Sequence, residues 1–313
     1  MKKIIYKKYG DADVLKIADS PVPEPSKGEV LVKVMAAGIN PVDYKVRNGS
    51  LRFVFRAKFP RTPGGEMAGI IEKNGPGASK FNIGDKVFAM LPLGIGGYSE
   101  YVCVKEDIIS KMPDNISFNE AAAIPLAGIT ALQSLRDKGH IRSWMHVLIN
   151  GGSGGVGSLA IQIAKAYSSE VTAVCSEKNI EFVQNMGADH VINYEKEDFT
   201  QKNNQYDIVF DAVAKSSFSE SKRVLKRKGT YITTIPKPSV MFRQIINPLL
   251  SRQVYGIMAK PGSDDLNYLA KLVAEEKLKP QIEKVYELEE APDAHHRIET
   301  GRVRGKLVIA MNH

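Results

Sequence analysis

A glycine-rich stretch near the middle of the chain has the residue types and spacing of a phosphate-binding turn. Residues 152–157 read Gly-Ser-Gly-Gly-Val-Gly and fit the pattern G-x-G-x-x-G. They follow the apolar run 147–149, which is typical of a buried parallel strand, and they precede an apolar helical pattern that ends near Tyr167. In that context the glycines permit a tight turn, a close approach to a pyrophosphate and close helix packing. The stretch therefore predicts a dinucleotide site at a helix N-terminus, and the alternative is a turn that only packs a helix on a sheet.

Strand and helix patterns alternate after this turn. Strands are predicted at 171–174, 190–193, 206–210, 230–235 and 254–258, and helices at 179–186, 218–225 and 268–275. Such alternation predicts a parallel sheet with helices on both faces. Residues 236–253 are irregular, apolar and basic, and they read as a lid over an apolar site, as a plain surface helix or, less favoured, as a membrane-touching segment.

The first 120 residues have a different pattern, in which short strands are separated by Gly and Pro turns. Many short strands at this spacing predict a small, partly closed β-barrel. The apolar run 306–310 is a further strand, which we expect to return to this N-terminal domain. The fold class is thus α/β, with a barrel and a doubly wound parallel sheet.

Size and composition are those of an ordinary globular protein of two modest domains, with 313 residues and a formal net charge of +8. No apolar run is long enough for a bilayer span and no signal-peptide pattern is present, so we expect a soluble, cytoplasmic protein.

The positive charge favours anionic ligands. The basic cluster at 222–228 is predicted to lie late on a helix, where positive charge complements the dipole, and this favours a solvated helix end over nucleic-acid binding. Cys103 and Cys175 form no C-x-x-C pair, so buried packing is their expected role.

Several ordered blocks resemble the medium-chain dehydrogenase/reductase superfamily, and in particular its zinc-independent quinone oxidoreductase branch. The resemblance covers nearly the whole chain, and the blocks lie at 36–45, 63–69, 84–87, 121–125, 154–157, 187–194 and 305–306. The resemblance implies a GroES-like β-barrel catalytic domain built from residues 1–120 and 256–313. It also implies a Rossmann dinucleotide-binding domain, residues 121–255, inserted between them.

Zinc enzymes of this superfamily hold a catalytic metal with a Cys, a His and a further ligand. Asn40 stands at the Cys position, and the segment Gly64-Gly65-Glu66 lacks the His. We therefore expect no metal site. Without a Lewis acid the acceptor must be activated by its own conjugation, which indicates a quinone or an α,β-unsaturated carbonyl.

By resemblance, the predicted catalytic residues are Asn40, Tyr44 and Lys45. Asn40 would hydrogen-bond the nicotinamide or the acceptor carbonyl, and Tyr44 would stack on a planar acceptor or relay a proton. Lys45 would polarise the acceptor oxygen and stabilise the enolate as charge develops. The alternative is a structural ion pair between Asp43 and Lys45.

The end of the second predicted strand bears on the choice of cofactor. An NAD-specific site places an acid there, whereas this strand ends in Ser176 with Lys178 close by, and a hydroxyl and a cation suit the 2′-phosphate of NADPH. Glu177, one residue away, keeps NADH as the less favoured alternative. By resemblance, Tyr194 flanks the same phosphate, Thr130 contacts the nicotinamide, and the turn 211–213 contacts its ribose, although Asp211 could simply cap the next helix. The predicted cofactor-binding residues are Asn40, Thr130, Gly152, Ser153, Gly154, Gly155, Val156, Gly157, Ser176, Lys178, Tyr194, Asp211, Ala212 and Val213.

These features favour an NADPH-dependent, metal-free oxidoreductase that transfers hydride to a quinone or an α,β-unsaturated carbonyl. One alternative is an enoyl reductase for substrates linked to CoA or a carrier, with Arg243 and Arg252 at a basic entrance. Another is a non-catalytic nucleotide-sensing relative that binds RNA or membrane. The expected partner is a small-molecule substrate, with no nucleic acid and no stable membrane association, and a homodimer through 254–258 is suggested by analogy.

Overall fold

The computed structural model describes residues 1–53, 58–92, 94–201, 203, 205–235, 238–247 and 250–313. The chain forms two compact units. The terminal unit comprises residues 1–126, 261–276 and 280–313, and the central unit comprises residues 127–260 and 277–279. The catalytic and dinucleotide-binding domains with boundaries at 120 and 255 stay a prediction.

The terminal unit is built mainly on one sheet in which the long strand β3 is central. Within the described residues the strand order is β14-β15-β3-β4-β5-β7, with β6 also paired to β3, and β1 and β2 form a separate antiparallel pair. Its elements are β1 (Lys2–Ile5), β2 (Lys16–Asp19), β3 (Glu29–Ile39), α1 (Pro41–Arg47), β4 (Glu66–Asn74), β5 (Lys86–Met90), β6 (Tyr101–Lys105), β7 (Ile109–Lys111), α2 (Phe118–Ala122), α8 (Ser263–Ala274), β14 (Ile282–Glu287), α9 (Ala291–Glu299) and β15 (Lys306–Ala310).

Antiparallel pairing on both sides of β3 brings distant parts of the chain together. Leu307 of β15 pairs with Ile39, and Ala68 of β4 pairs with Ala36. The predicted return of the last strand to the N-terminal domain is therefore confirmed. As a consequence, the end of β3 and the beginnings of β4 and β15 meet at one edge of the sheet.

The central unit is a parallel sheet covered by helices. Its strands lie in the order β10-β9-β8-β11-β12-β13, and each described neighbouring pair is parallel. This is the doubly wound order 3-2-1-4-5-6 of dinucleotide-binding sheets, as the alternating pattern predicted. Its elements are α3 (Pro125–Leu132), β8 (His146–Asn150), α4 (Gly155–Ala166), β9 (Glu170–Cys175), α5 (Ile180–Asn185), β10 (His190–Asn193), β11 (Tyr206–Asp211), α6 (Phe218–Ser221), β12 (Leu225–Thr233), α7 (Pro238–Ile245) and β13 (Gln253–Gly256), with α3 beginning in the terminal unit.

The predicted helix at 218–225 is wrong in its second half. Helix α6 ends at Ser221, and β12 begins at Leu225 and pairs with β11. The basic residues 226–228 therefore lie in a strand, where Lys226 forms an ion pair of 2.8 Å with Asp207 and Lys228 has a φ of 68°. The helix dipole does not explain this cluster, because strand pairing overrides the local helical pattern.

The segment predicted as a lid or surface helix contains helix α7, which packs against strand β13. Residues 236, 237, 248 and 249 of that segment lie outside the described residues, and the lid stays a prediction. In the described parts of the chain no helix has both the length and the apolar character needed to cross a bilayer.

Both cysteines are free thiols. Cys175 is buried at the end of β9 and Cys103 is partly buried in β6. Burial raises the pKa of each thiol to about 11. Their packing role agrees with the expectation from the sequence.

The close contact between helix α4 and the turn before it should make Gly157 intolerant of any side chain. An ideal Cβ on Gly157 would lie 2.1 Å from the carbonyl oxygen of Gly151. We expect Gly157→Ala to lower the free energy of unfolding by roughly 1–3 kcal/mol, because backbone atoms must move to admit the methyl group. Urea denaturation measures this. The matched control is Gly154→Ala, whose Cβ would have no neighbour closer than 3.6 Å, and equal losses for both variants would contradict the prediction.

Candidate functional site

The glycine turn joins β8 to α4 and is held against the neighbouring strand β9. The N–H groups of Gly151 and Gly152 both donate to the carbonyl oxygen of Val174, at 3.1 and 3.0 Å. An ideal Cβ on Gly152 would lie 2.9 Å from the Cβ of Ala173. The first and last glycines of the predicted motif are therefore required by close packing within the protein itself.

Gly154, in contrast, has open space beside it. The nearest heavy atom to its ideal Cβ is the carbonyl oxygen of Gly151, at 3.6 Å. Gly154 is also the N-cap of the 12-residue helix α4, and no side chain caps this helix end. Backbone N–H groups and the positive end of the helix dipole thus face a space that packing leaves open, which fits a pyrophosphate.

One amide group, which the sequence did not reveal, links two predicted cofactor residues. The Nδ2 of Asn179 donates to the hydroxyls of Ser153 and Ser176, each at 3.1 Å. Ser153 lies in the glycine turn and Ser176 follows strand β9, so the amide fixes both hydroxyls at the carboxyl ends of neighbouring strands. An Asn just before helix α5 has no spacing signature, and only the fold identifies it.

The acid that kept NADH as an alternative is engaged by neighbouring residues. The carboxylate of Glu177 forms an ion pair of 2.6 Å with Lys196 and accepts a hydrogen bond of 2.7 Å from the amide of Asn193. The Lys196 ammonium holds the pKa of Glu177 below its usual range, so the carboxylate is charged and paired. Lys178 is exposed at the same strand end. Tyr194 is 52% exposed, and its N–H donates to the carbonyl oxygen of Cys175, so its backbone adjoins Ser176.

Asp211 is a fully buried hub at the end of β11. Its carboxylate accepts hydrogen bonds from the amide of Asn150 at 3.0 Å, the hydroxyl of Tyr231 at 3.1 Å and the N–H of Ser216 at 2.8 Å. Burial, together with the Asp211 charge, raises the pKa of Tyr231 above its usual value. These donors hold the Asp211 side chain within the protein, but the alternative that it caps the next helix is wrong, because Ser217 caps helix α6. A ribose contact stays a prediction for the turn.

The remaining predicted residues of the central unit lie close to this hub or in α3. Val213 packs over the glycine turn, because an ideal Cβ on Gly151 would lie 2.4 Å from its Cγ1. The N–H of Ala212 donates to the carbonyl oxygen of Asn150. Thr130 is buried in α3, and its carbonyl oxygen accepts the hydroxyl of Ser134 at 2.6 Å. The structure thus brings the turn 211–213 and the glycine turn together.

In the terminal unit, the strand edge described above carries a buried network of three side chains. The ammonium of Lys306 lies 2.6 Å from Glu66 Oε1 and 2.6 Å from Asn40 Oδ1. The Nδ2 of Asn40 donates to the same Glu66 oxygen at 2.7 Å, and the N–H of Leu126 donates to Glu66 Oε2 at 2.6 Å. The amide orientation of Asn40 follows from this network, because an ammonium only donates and a carboxylate only accepts.

The network depends on a glycine, and its side chains differ from those of a metal donor set. An ideal Cβ on Gly38 would lie 2.2 Å from Glu66 Oε1, so only glycine admits the carboxylate. The buried ammonium of Lys306 donates a hydrogen bond to the side-chain oxygen of Asn40, and Gly65 has no side chain that could bind a metal. Among the described residues no group of three or more His, Cys, Asp or Glu side chains could hold a metal ion. The side chains present do not fit a catalytic zinc site.

The predicted catalytic residues Tyr44 and Lys45 lie on α1, which begins directly after Asn40. The Nζ of Lys45 lies 6.0 Å from the centroid of the Tyr44 ring, and burial lowers the pKa of this lysine. The alternative ion pair between Asp43 and Lys45 is wrong. Asp43 is buried and accepts the N–H of Asn40 at 2.8 Å and the hydroxyl of Tyr98 at 3.2 Å.

Behind α1 lies a cluster of buried polar groups. Burial raises the pKa of Asp43 to about 7, because desolvation and the Glu66 charge outweigh the hydrogen bonds and the Lys306 ammonium. Burial and the charge of Arg47 lower the pKa of His295 to about 3, and this ring packs edge-on against Tyr98. Arg47 is fully buried and pairs with Glu299. The cluster fixes the orientation of α1 on α9.

Two family models match the chain. One is described as the alcohol dehydrogenase GroES-like domain and matches residues 26–114, and the other is described as zinc-binding dehydrogenase and matches residues 186–309. A chloroplast envelope quinone oxidoreductase homolog of Arabidopsis thaliana is 33% identical over 99% of this chain and 98% of the relative.

Two further proteins are similar over almost the whole chain. An NADPH-dependent alkenal/one oxidoreductase of Arabidopsis thaliana is 32% identical and matches 99% of this chain and 79% of its own length. The solved structure of the quinone oxidoreductase from Coxiella burnetii is 36% identical, covers 100% of this chain and 99% of its own, and has a TM-score of 0.91.

Removing the cation of the buried network should be costly. We expect Lys306→Met to lower the free energy of unfolding by roughly 3–5 kcal/mol, because Glu66 is left charged and buried without its partner. Denaturant titration measures the loss. The double variant Lys306→Met/Glu66→Gln should recover part of it, and the surface variant Lys111→Met, which breaks the exposed pair with Asp85, should cost less than about 1 kcal/mol. A loss for Lys306→Met as small as that for Lys111→Met would contradict the prediction.

Asp43 should give the protein a pH dependence of unusual sign. Its folded pKa of about 7 lies above the unfolded value of 3.8, so the folded state retains a proton that the unfolded state has released. This contribution is complete below the unfolded pKa and is lost as pH rises through the folded one. We expect the difference in unfolding free energy between wild type and Asp43→Asn to decline from pH 4 to pH 7. The control Asp85→Asn should show the opposite sign at lower pH, where the contribution of Asp85 is lost as pH falls below the unfolded value of 3.8, because the N–H of Asn82 and the Lys111 ammonium lower its pKa. A difference that does not change with pH for Asp43→Asn would refute the shift.

Proposed function

We infer the function from one premise: the chain belongs to the medium-chain dehydrogenase/reductase superfamily, in its zinc-independent quinone oxidoreductase branch. We propose that it is an NADPH-dependent oxidoreductase that reduces quinones or α,β-unsaturated carbonyls without a metal. The quinone oxidoreductase and alkenal/one oxidoreductase relatives support this substrate class.

One structural observation carries the metal-free part of the proposal. The Lys306 ammonium binds the side chains of Asn40 and Glu66. Asn40 stands at the position where, by resemblance, the zinc enzymes of the superfamily have a cysteine ligand. A fixed cation at that place disfavours a second cation by direct repulsion. The acceptor must then be a molecule whose own conjugation makes it reducible.

The strand end after β9 favours NADPH over NADH. The hydroxyl of Ser176 is held by Asn179, Lys178 adds a positive charge, and Glu177 is neutralised by Lys196. A carboxylate that is paired in this way is poorly available for a ribose 2′-hydroxyl. The NADPH dependence stated in the name of one relative supports the same choice.

The residues of the chain bind the cofactor, orient the acceptor and supply a proton to it. When bound, the reduced nicotinamide supplies a hydride. The free N–H groups around Gly154 bind the pyrophosphate, and Asn40 keeps one amide hydrogen beyond the one that it donates to Glu66. Lys45 donates a hydrogen bond to the acceptor oxygen, where negative charge develops, and its lowered pKa makes it an effective proton donor there. Tyr44, beside it, offers an aromatic face to a planar acceptor.

The relatives do not favour the CoA-linked alternative, and the two arginines of its basic entrance make contacts within the protein. The Nε of Arg252 donates to the carbonyl oxygen of Leu225 at 2.9 Å, and the guanidinium of Arg243 lies 5.0 Å from the ring centroid of Phe218. Both arginines therefore have structural contacts. The cytoplasmic location, the homodimer and the absence of nucleic-acid and membrane partners stay predictions.

Turnover tests the proposed function. We expect NADPH to be oxidised with simple quinones and with conjugated enals, and to be oxidised poorly with enoyl-CoA. Absorbance at the nicotinamide band measures this. Treatment with a chelator should leave the rate unchanged, because no zinc takes part. Tight stoichiometric zinc whose removal abolishes activity would overturn the metal-free mechanism, and failure of NADPH to bind would overturn the proposal as a whole.

Lys178 tests the choice of cofactor. We expect Lys178→Ala to raise the KM for NADPH by roughly tenfold and to leave the KM for NADH nearly unchanged, because a charge-assisted contact to the 2′-phosphate is lost. The matched control is Lys222→Ala, an exposed lysine of the same unit, which should change neither value. Equal effects of Lys178→Ala on both cofactors would reject the 2′-phosphate contact.

A further inference from the structure

The terminal unit has an open groove with a cationic lining. The groove has a volume of about 660 Å³, within the range of roughly 300–1,000 Å³ that is usual for small-molecule sites. Lys3, Lys58 and Arg61 line it, and none of its described lining residues is an Asp or a Glu.

Of these three cations, only Arg61 acts on another described group, because burial raises the pKa of Tyr6 and the charge of Arg61 opposes this rise. In the parts of the chain that the structure describes, the side chains of all three take part in no hydrogen bond or ion pair. The acids whose charges reach the groove at Cys103 are Glu24 and Glu29. Both are already paired with other lysines, Lys73 and Lys105. The lining thus carries three positive charges and no described acidic side chain, so it attracts an anion.

The rest of the lining indicates what kind of anion fits. Pro21, Pro60 and Ile95 supply apolar surface, and the hydroxyl residues Ser20 and Thr62 supply hydrogen-bonding groups. Apolar walls with a few convergent polar groups are typical of sites for small organic molecules. A simple inorganic anion would leave the apolar part of this surface uncovered.

The groove is separate from the residues assigned to hydride transfer. Asn40, Tyr44 and Lys45 do not line it. Arg61 and Thr62 also line an inner crevice that reaches Asp43, but the volume of that crevice is only about 20 Å³, which suffices for roughly one water molecule. A ligand of the groove therefore stays outside the buried network.

We propose that this groove binds a small organic anion, a carboxylate or phosphate with an apolar body, through Lys58 and Arg61. Binding here does not require the oxidoreductase activity, so this proposal and the proposed function fail or succeed separately.

The aromatic sulfonate 8-anilinonaphthalene-1-sulfonate is a suitable probe, because it joins one anionic group to an apolar body. Its fluorescence is titrated with saturating NADPH present, so that the nucleotide turn is occupied. We expect saturable binding that Lys58→Gln/Arg61→Gln weakens by roughly tenfold. The control Lys7→Gln/Lys8→Gln removes the same charge from exposed residues outside the groove and should change affinity less than about twofold. The single variant Lys58→Gln, at an exposed position, serves if the double variant does not fold.

Competition and cysteine protection complete the test. Hexanoate and hexyl phosphate should displace the probe, whereas neutral hexanol should not, and the two anions distinguish carboxylate from phosphate recognition. Cys103 lines the groove and Cys175 does not, so bound probe should slow alkylation of Cys103 alone by N-ethylmaleimide at pH 9. Equal weakening in both double variants, displacement by hexanol, or the absence of protection at Cys103 would overturn the proposal.

Discussion

The buried ion pair between Lys306 and Glu66 is the interaction on which the terminal unit depends. It joins the first residues of β15 and β4, which are 240 positions apart in the chain, beside the last residue of β3. Burying two charges is costly unless every polar atom has a partner, and here Asn40, the carbonyl oxygen of Ile39 and the N–H of Leu126 supply the further hydrogen bonds. Because α1 starts at Pro41, directly after Asn40, the same network sets where Tyr44 and Lys45 lie.

In the central unit, hydrogen bonds to a single carboxylate hold neighbouring strand ends together. Asp211 joins β11 to β8 through Asn150 and to β12 through Tyr231. With the strand ends fixed, backbone hydrogen bonds to Val174 and the side chain of Asn179 hold the glycine turn, and the space beside Gly154 stays open. In each unit a buried charged group holds the strand ends: Lys306 with Glu66 in the terminal unit and Asp211 in the central unit. The residues next to these groups in the chain can therefore contact a ligand.

The sequence predicts the parts of this molecule that depend on neighbours along the chain. The strand, glycine turn and helix at 147–166 follow from local pattern, and so does the parallel sheet. The helix predicted at 218–225 is wrong after Ser221, because Leu225 and residues 230–233 pair with β11 and this tertiary pairing outweighs local propensity. The contacts of Lys306 with Asn40 and Glu66 could not be read from the sequence, since they arise from the register of three strands. The role of Asn179 could not be predicted for the same reason, because its two serine partners come together only in the folded sheet.

The state of the two thiols has a consequence for an enzyme that handles quinones and enals. Such molecules are electrophiles that alkylate cysteine thiolates, and a thiol of ordinary pKa is a few per cent thiolate at neutral pH. With a pKa of about 11, Cys103 and Cys175 are thiolates in roughly one molecule in ten thousand at pH 7. The raised pKa of these thiols thus also slows self-inactivation of the catalyst by the compounds it reduces.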